Sequence, residues 1–265
     1  MAQAITSLAR SWALQRRVIF ALLMREALTR YGRHNIGFLW LFVEPMIFTI
    51  GVTLLWYSAG LNHGSSLPIS VFALTGYSCV LLWRNMPSRS IGAIQPNLAL
   101  MYHRNVRIID IFVARLILEG MGATMSFFIL SLIFIYLFEW ISPPENISQI
   151  ILGWLALAWF GFALACMMGA FAEKSELVDK LWHPFTYLMF PLSGAAFMVE
   201  ALPVASRKFI MWIPMVSCTE FIREGYFGSK FHAFYDMTYV VLVNLGLTFM
   251  ALLLIRDITG KVTPK

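Results

Sequence analysis

Six stretches of this chain are apolar over roughly the length of a membrane-crossing helix, at about residues 36–57, 67–83, 116–138, 150–172, 181–199 and 237–255. A helix rising ~1.5 Å per residue needs about 20 such residues to cross a hydrocarbon layer ~30 Å thick. That layer offers no water to satisfy a backbone N–H or C=O, so each crossing reads as helix rather than strand. Composition agrees, with 59% apolar and 13% charged residues leaving too little polar surface for a soluble fold. The sequence predicts an all-α integral membrane protein, a single domain over 1–265 with six transmembrane helices.

The positive charges set the expected orientation. Arg10, Arg16, Arg17, Arg25, Arg30 and Arg33 precede the first run, and five more arginines lie between the second and third. Lys174 and Lys180 lie in the fourth connection, and Arg256, Lys261 and Lys265 in the tail, whereas 60–66 and 139–149 have no Lys or Arg. The positive-inside rule then puts both termini in the cytoplasm. The net charge of +6 is accounted for as a topology signal, with no nucleic-acid partner required.

Two segments do not fit a simple crossing. Residues 1–35 have one short apolar run, Val18 to Met24, bracketed by arginines and followed by no small-residue cleavage site, so they read as a retained cytoplasmic interfacial helix. The connection 200–236 includes "KFIMWIPMVSCTEF", too short to cross, and reads as one or two short re-entrant or interfacial helices on the periplasmic side. Cys79, Cys166 and Cys218 read as small packing groups, and no metal-ligand spacing of histidines appears.

The chain lacks the marks of a catalyst or motor. There is no G-x4-G-K-[ST] phosphate loop, no G-x-S-x-G nucleophile turn and no close carboxylate pair inside an apolar span. If the chain does energised work, a partner supplies the energy, with no cofactor on this chain. The first span does hold Glu44, about eight residues in and so about 12 Å along the helix, followed at once by Pro45. A carboxylate at that depth belongs in the bundle interior, beside a charge or in water, and the proline favours a kink.

The fifth span holds Pro184 and Pro191, which suit a helix that bends, with Tyr187 and Phe190 between them as candidate path residues. Trp56, Trp83, Trp140 and Trp182 fall at span ends, where an aromatic belt explains them, while Trp40 and Trp159 lie deeper and could offer flat faces to sugar rings. Gly161, Ala165 and Gly169 repeat every four residues, a face for close helix approach within or between chains. The basic connection 84–115 also contains apolar residues, which a plain loop does not explain. Arg89, Ile94, Gln95, Asn97, Tyr102 and Arg104 are its candidate contacts to a soluble subunit.

The run "TRYGRHNIGFLWLFVEP", with "RE" at 25 and 26, resembles the N-terminal signature of permease subunits of ABC-2 type polysaccharide exporters, above all those of Gram-negative capsule export. Arg30, Tyr31, Gly32, Arg33, Gly37, Trp40, Glu44 and Pro45 match that motif. The resemblance implies an ABC-2 type transporter membrane domain in the bacterial inner membrane, working as a homodimer with two copies of a cytoplasmic ATP-binding subunit. It further implies a lipid-linked, acidic polysaccharide as cargo, with periplasmic and outer-membrane export proteins as partners. Arg30, Arg33, Trp40, Glu44 and Pro45, with Trp159, are then candidates for the substrate path. An ABC-2 permease for O-antigen, teichoic acid or a small molecule, and a membrane transferase acting on lipid-linked sugars, stand as alternatives.

Overall fold

A computed structural model describes residues 2–32, 35–60, 68–103, 106–228 and 231–262 of the 265-residue chain. Among the described residues it is all helix and connection, with ten α-helices: α1 (Ala2–Tyr31), α2 (Asn35–Ser58), α3 (Ile69–Ser90), α4 (Leu98–His103), α5 (Ile108–Leu132), α6 (Ile147–Ala172), α7 (Leu177–Leu192), α8 (Val204–Ile210), α9 (Pro214–Phe227) and α10 (Met237–Val262). A π-helical turn, Ile133–Leu137, extends α5. Among the described residues, four helical stretches are long and apolar enough to cross a membrane: Leu39–Ser58, Ile108–Leu137, Ile147–Ala172 and Met237–Gly260.

The other two apolar runs take a different form, for identifiable reasons. In α3 every residue from Ser70 to Trp83 is buried, so protein rather than lipid surrounds it and its mean hydropathy need not be high. The helix therefore continues past 83 through Arg84 and Arg89 to Ser90. α7 has 16 residues, about 24 Å of helix, and stops at Leu192 instead of running to 199. Gly194 ends it with φ of 79°, a left-handed turn that a side chain would strain.

That early stop leaves carbonyls without helical partners deep in the molecule. Arg223 of α9, itself buried, supplies the donors: its Nη1 bonds the carbonyls of Gly194 (2.7 Å) and Phe197 (2.8 Å), and Nη2 bonds that of Ala195 (2.9 Å). Buried Glu220 lies 3.7 Å from Arg223 and accepts the N–H groups of Val199 (3.5 Å) and Phe234 (3.3 Å). Non-helical backbone is tolerated away from water only when such groups are satisfied by protein. The contacts of Glu220 and Arg223 are structural.

α5 starts at Ile108, ahead of the expected 116, because Asp110 accepts the Arg107 N–H at 3.0 Å and the Gln15 amide at 2.7 Å. The small-residue face of α6 turns inward onto α3 and α5. A Cβ on Gly161 would lie 3.0 Å from the Met86 sulfur, and one on Gly169 would lie 2.7 Å from the Phe112 ring. This stripe packs within the chain. The aromatic-belt reading also needs correction: of its four tryptophans, Trp56, Trp83 and Trp182 are buried among helices, Trp182 donating to Ser88 Oγ at 2.9 Å, and Trp140 alone of the four is exposed.

Candidate functional site: a polar cleft at the charged end of the bundle

Gly169 packs on Phe112 and Ser90, and Lys174 pairs with Asp257 at 2.6 Å. The C-terminal ends of α3, α6 and α10 and the start of α5 therefore share one end of the bundle. Here α2, α3 and α7, with contributions from α1 and α5, enclose a cleft of about 460 Å³. α2 contributes Glu44, Pro45 and Phe48; α3 contributes Arg84, Asn85, Ser88 and Arg89; α7 contributes His183, Thr186 and Tyr187; Tyr31 and Glu119 close one side. The kink-favouring proline is buried, whereas Glu44 on the next position is exposed to the cleft.

Beside this cleft lies a network of charges from three helices. Glu119 of α5 accepts Arg30 of α1 and lies 3.2 Å from Arg89 Nε of α3. Glu26 of α1 lies 3.4 Å from Arg30 and 3.0 Å from Arg115 Nε, the latter a charge contact outside hydrogen-bond alignment. Arg115 Nη1 donates to the Arg89 carbonyl at 2.9 Å. Three arginines thus share two carboxylates, and most of these side chains are more than four-fifths buried, which raises their mutual attraction above that of a surface pair. A second cleft, about 440 Å³, lies against the same network and shares Ser88 and Arg89 with the first.

The network reaches the connection between α3 and α5. Arg25 Nη1 donates to Asn97 Oδ1 at 2.5 Å, and Asn97 Nδ2 donates to the Ala93 carbonyl at 2.8 Å. Gln95 of the same segment reaches Glu173 at the end of α6, 3.3 Å away. Contacts therefore run without a break from this segment to α1 through Arg25, and from α1 to the cleft wall through Arg30, Glu119 and Arg89.

The ABC-2 type transporter family model matches residues 17–227, most of the chain. The chain belongs to the ABC-2 type transporter family. This ABC-2 chain is 42% identical over 260 residues, 98% of both chains, to the capsule polysaccharide export inner-membrane protein CtrC of Neisseria meningitidis serogroup B. It is 38% identical over 260 residues, again 98% of both, to the capsule polysaccharide export inner-membrane protein BexB of Haemophilus influenzae. It is 27% identical over 256 residues, 92% of this chain and 94% of the other, to the polysialic acid transport protein KpsM of Escherichia coli.

The ABC-2 fold brings some of the sequence candidates together and separates others. Glu44, Pro45, Tyr187 and Arg89 line the cleft, and Arg30 braces its wall through Glu119. Trp40 is 51% exposed and outside the lining. Trp159 bonds Thr248 of α10 at 3.0 Å on another side of the bundle, and Phe190 sits edge-on to Tyr77 at 6.0 Å. Of the connection candidates, Ile94 and Asn97 are buried, Gln95 contacts Glu173, and Tyr102 is exposed. Arg33 and Arg104 lie outside the described residues. Arg84, Asn85, His183 and Glu119 were not singled out in the sequence, because each sits in a run whose charge or polarity already had an ordinary explanation. The repeat of polar residues at 84, 85, 88 and 89, one helical face in α3, is the signal that could have added Arg84, Asn85 and Ser88 to Arg89.

Proposed function

We propose that this chain is the membrane permease subunit of an ATP-driven exporter that moves a lipid-linked capsular polysaccharide across the bacterial inner membrane. The names of the relatives at 42% and 38% identity support the cargo and the membrane. The observation that carries the reading is the polar cleft of α2, α3 and α7: a polymer with hydroxyls and charges needs a hydrated, hydrogen-bonding wall in a molecule otherwise clothed in apolar side chains.

In this reading α3 and α7 complete six crossings with α2, α5, α6 and α10, and both termini lie in the cytoplasm. The short α7 crosses with help from the segment that Arg223 holds. Two copies of the chain form the channel, and two cytoplasmic ATP-binding subunits, using ATP and Mg, dock near the segment between α3 and α5. Tyr102, exposed on α4, is available to that contact, while Gln95 and Asn97 hold the segment to α6 and α1. Hydrolysis in the partner pushes the segment, and the arginine–carboxylate network carries that motion to the cleft. Periplasmic and outer-membrane export proteins receive the polymer.

The test is reconstitution. The chain alone should hydrolyse no ATP and restore no surface polymer in cells that lack both it and the ATP-binding subunit, whereas the pair should do both. Polymer export by the chain without any nucleotide-binding partner, or turnover of lipid-linked sugar by the chain alone, would overturn this reading.

A further inference from the structure

The lining of the α2–α3–α7 cleft divides into two parts. Along one side Arg89 and Glu119 are already engaged with each other and with Arg30. On the other, the side chains of Glu44, Arg84, Asn85 and His183 make no hydrogen bond or ion pair among the described residues, although the Arg84 and His183 carbonyls accept from Ser88 and Thr186. Glu44 and His183 are exposed to the cleft, and Arg84 and Asn85 are half-buried. Charged groups on membrane-depth helices are costly unless they meet water or a partner, so four unengaged polar groups around one space mark a place where a ligand finds its contacts.

We propose that Arg84 is the specificity-determining residue of this cleft, pairing with the anionic group of an acidic sugar unit while Glu44 accepts hydrogen bonds from that unit's hydroxyls. The proposal rests on the export reading and adds the chemistry by which the cargo is chosen. A guanidinium presents a planar fork that matches a carboxylate with two parallel bonds. Glu44 accepts only, so it favours hydroxyls and repels a second anion, which fixes which end of the sugar faces which helix. Phe48 and Tyr187 line the same space and offer aromatic faces to the C–H surface of a pyranose ring. The volume, about 460 Å³, lies in the ~300–1,000 Å³ range of small-molecule sites. A phospholipid headgroup fits less well, because Asn85, Ser88 and Thr186 in the lining offer hydrogen bonds that acyl chains cannot use.

The experiment uses the full chain in phosphatidylcholine nanodiscs and two probes: a galacturonic acid hexamer, and the same hexamer with its carboxylates reduced to alcohols. The wild-type chain should bind the acidic hexamer about tenfold more tightly, the worth of one charge-assisted pair. Arg84→Gln should bring the two affinities within about twofold, and Arg84→Lys should keep part of the preference because the charge remains without the fork. Glu44→Gln should weaken both hexamers together and leave their ratio at about tenfold, a split that a misfolded chain does not give. Arg84→Gln that retains the tenfold preference, or a wild-type chain that binds neither hexamer, would overturn the proposal. So would loss of acidic-hexamer binding on adding phosphatidylglycerol to the wild-type nanodiscs, since Arg84 would then be reading lipid. Failure of the export reading itself shows elsewhere, as a wild-type chain that with its ATP-binding partner restores no surface polymer.

Discussion

The guanidinium carbon of Arg223 lies 3.9 Å from the centre of the Phe72 ring, with both side chains buried. The cation therefore touches an aromatic face of α3 while its nitrogens hold three carbonyls just beyond α7. A guanidinium is suited to this, because it stacks flat and directs several donors in plane.

Removing it should be costly. Arg223→Met leaves three carbonyls and Glu220 without their cation and is expected to destabilise the chain by about 3–5 kcal/mol. Arg223→Lys should fall between, since one ammonium cannot reach the same set of carbonyls. Thermal unfolding of the purified chain in detergent measures this, and an unchanged midpoint for the Met variant would show that the carbonyls find other partners.

The inward stripe on α6 makes a second prediction by contrast. Gly169→Val places a branched side chain where even a Cβ would lie 2.7 Å from Phe112, and overpacking of this kind costs about 1–3 kcal/mol. Gly246→Ala on α10 meets nothing within 4 Å and should be neutral or slightly stabilising, as alanine is the better helix former. Equal effects of the two on thermal stability would contradict the packing described for α6.

Much of the architecture was legible from apolar length alone. α2, α6 and α10 occupy the runs found at 36–57, 150–172 and 237–255 because lipid-facing helices must be apolar throughout. α3 and α7 were less legible for opposite reasons: α3 is encased in protein and so tolerates arginines, and α7 ends at a glycine whose lost hydrogen bonds are replaced by a residue some 30 positions away. Glu44 and Pro45 stood out in the sequence since a carboxylate in an apolar run has few ordinary explanations. Arg84 did not, because an arginine at a span end has one.

The two carboxylates of the charge network should differ in strength from the ion pair at the end of α6. A double-mutant cycle on Arg115 and Glu26, both under one-fifth exposed, is expected to give a coupling of about 1–3 kcal/mol. The same cycle on Lys174 and Asp257, 33% and 47% exposed, should give at most about 1 kcal/mol despite the shorter 2.6 Å contact. Burial rather than distance decides the order, and a reversed ranking in the unfolding data would refute that.

Cleft position should also separate two residues that composition alone treats alike. Glu44→Gln is expected to lower surface polymer by about tenfold or more at matched protein abundance, as it removes a charged acceptor from the cleft. Trp159→Phe should cost about 1 kcal/mol of stability through its lost bond to Thr248 and leave export per folded chain unchanged. Quantifying polymer on whole cells alongside membrane abundance checks both.

Because α6 spends its glycines inside the chain, the surface left for neighbours is of another kind. Leu39, Ile47 and Leu54 on α2, Leu181 and Leu188 on α7, and Leu242, Leu245 and Phe249 on α10 all point outward. Whatever lies alongside in the bilayer meets long side chains with several rotamers instead of a groove that locks two backbones together. Contacts of that sort permit a neighbour to slide and tilt at little cost, whereas the α3–α6 packing, with its glycines pressed against Met86, Phe112 and Ser90, is held in one register.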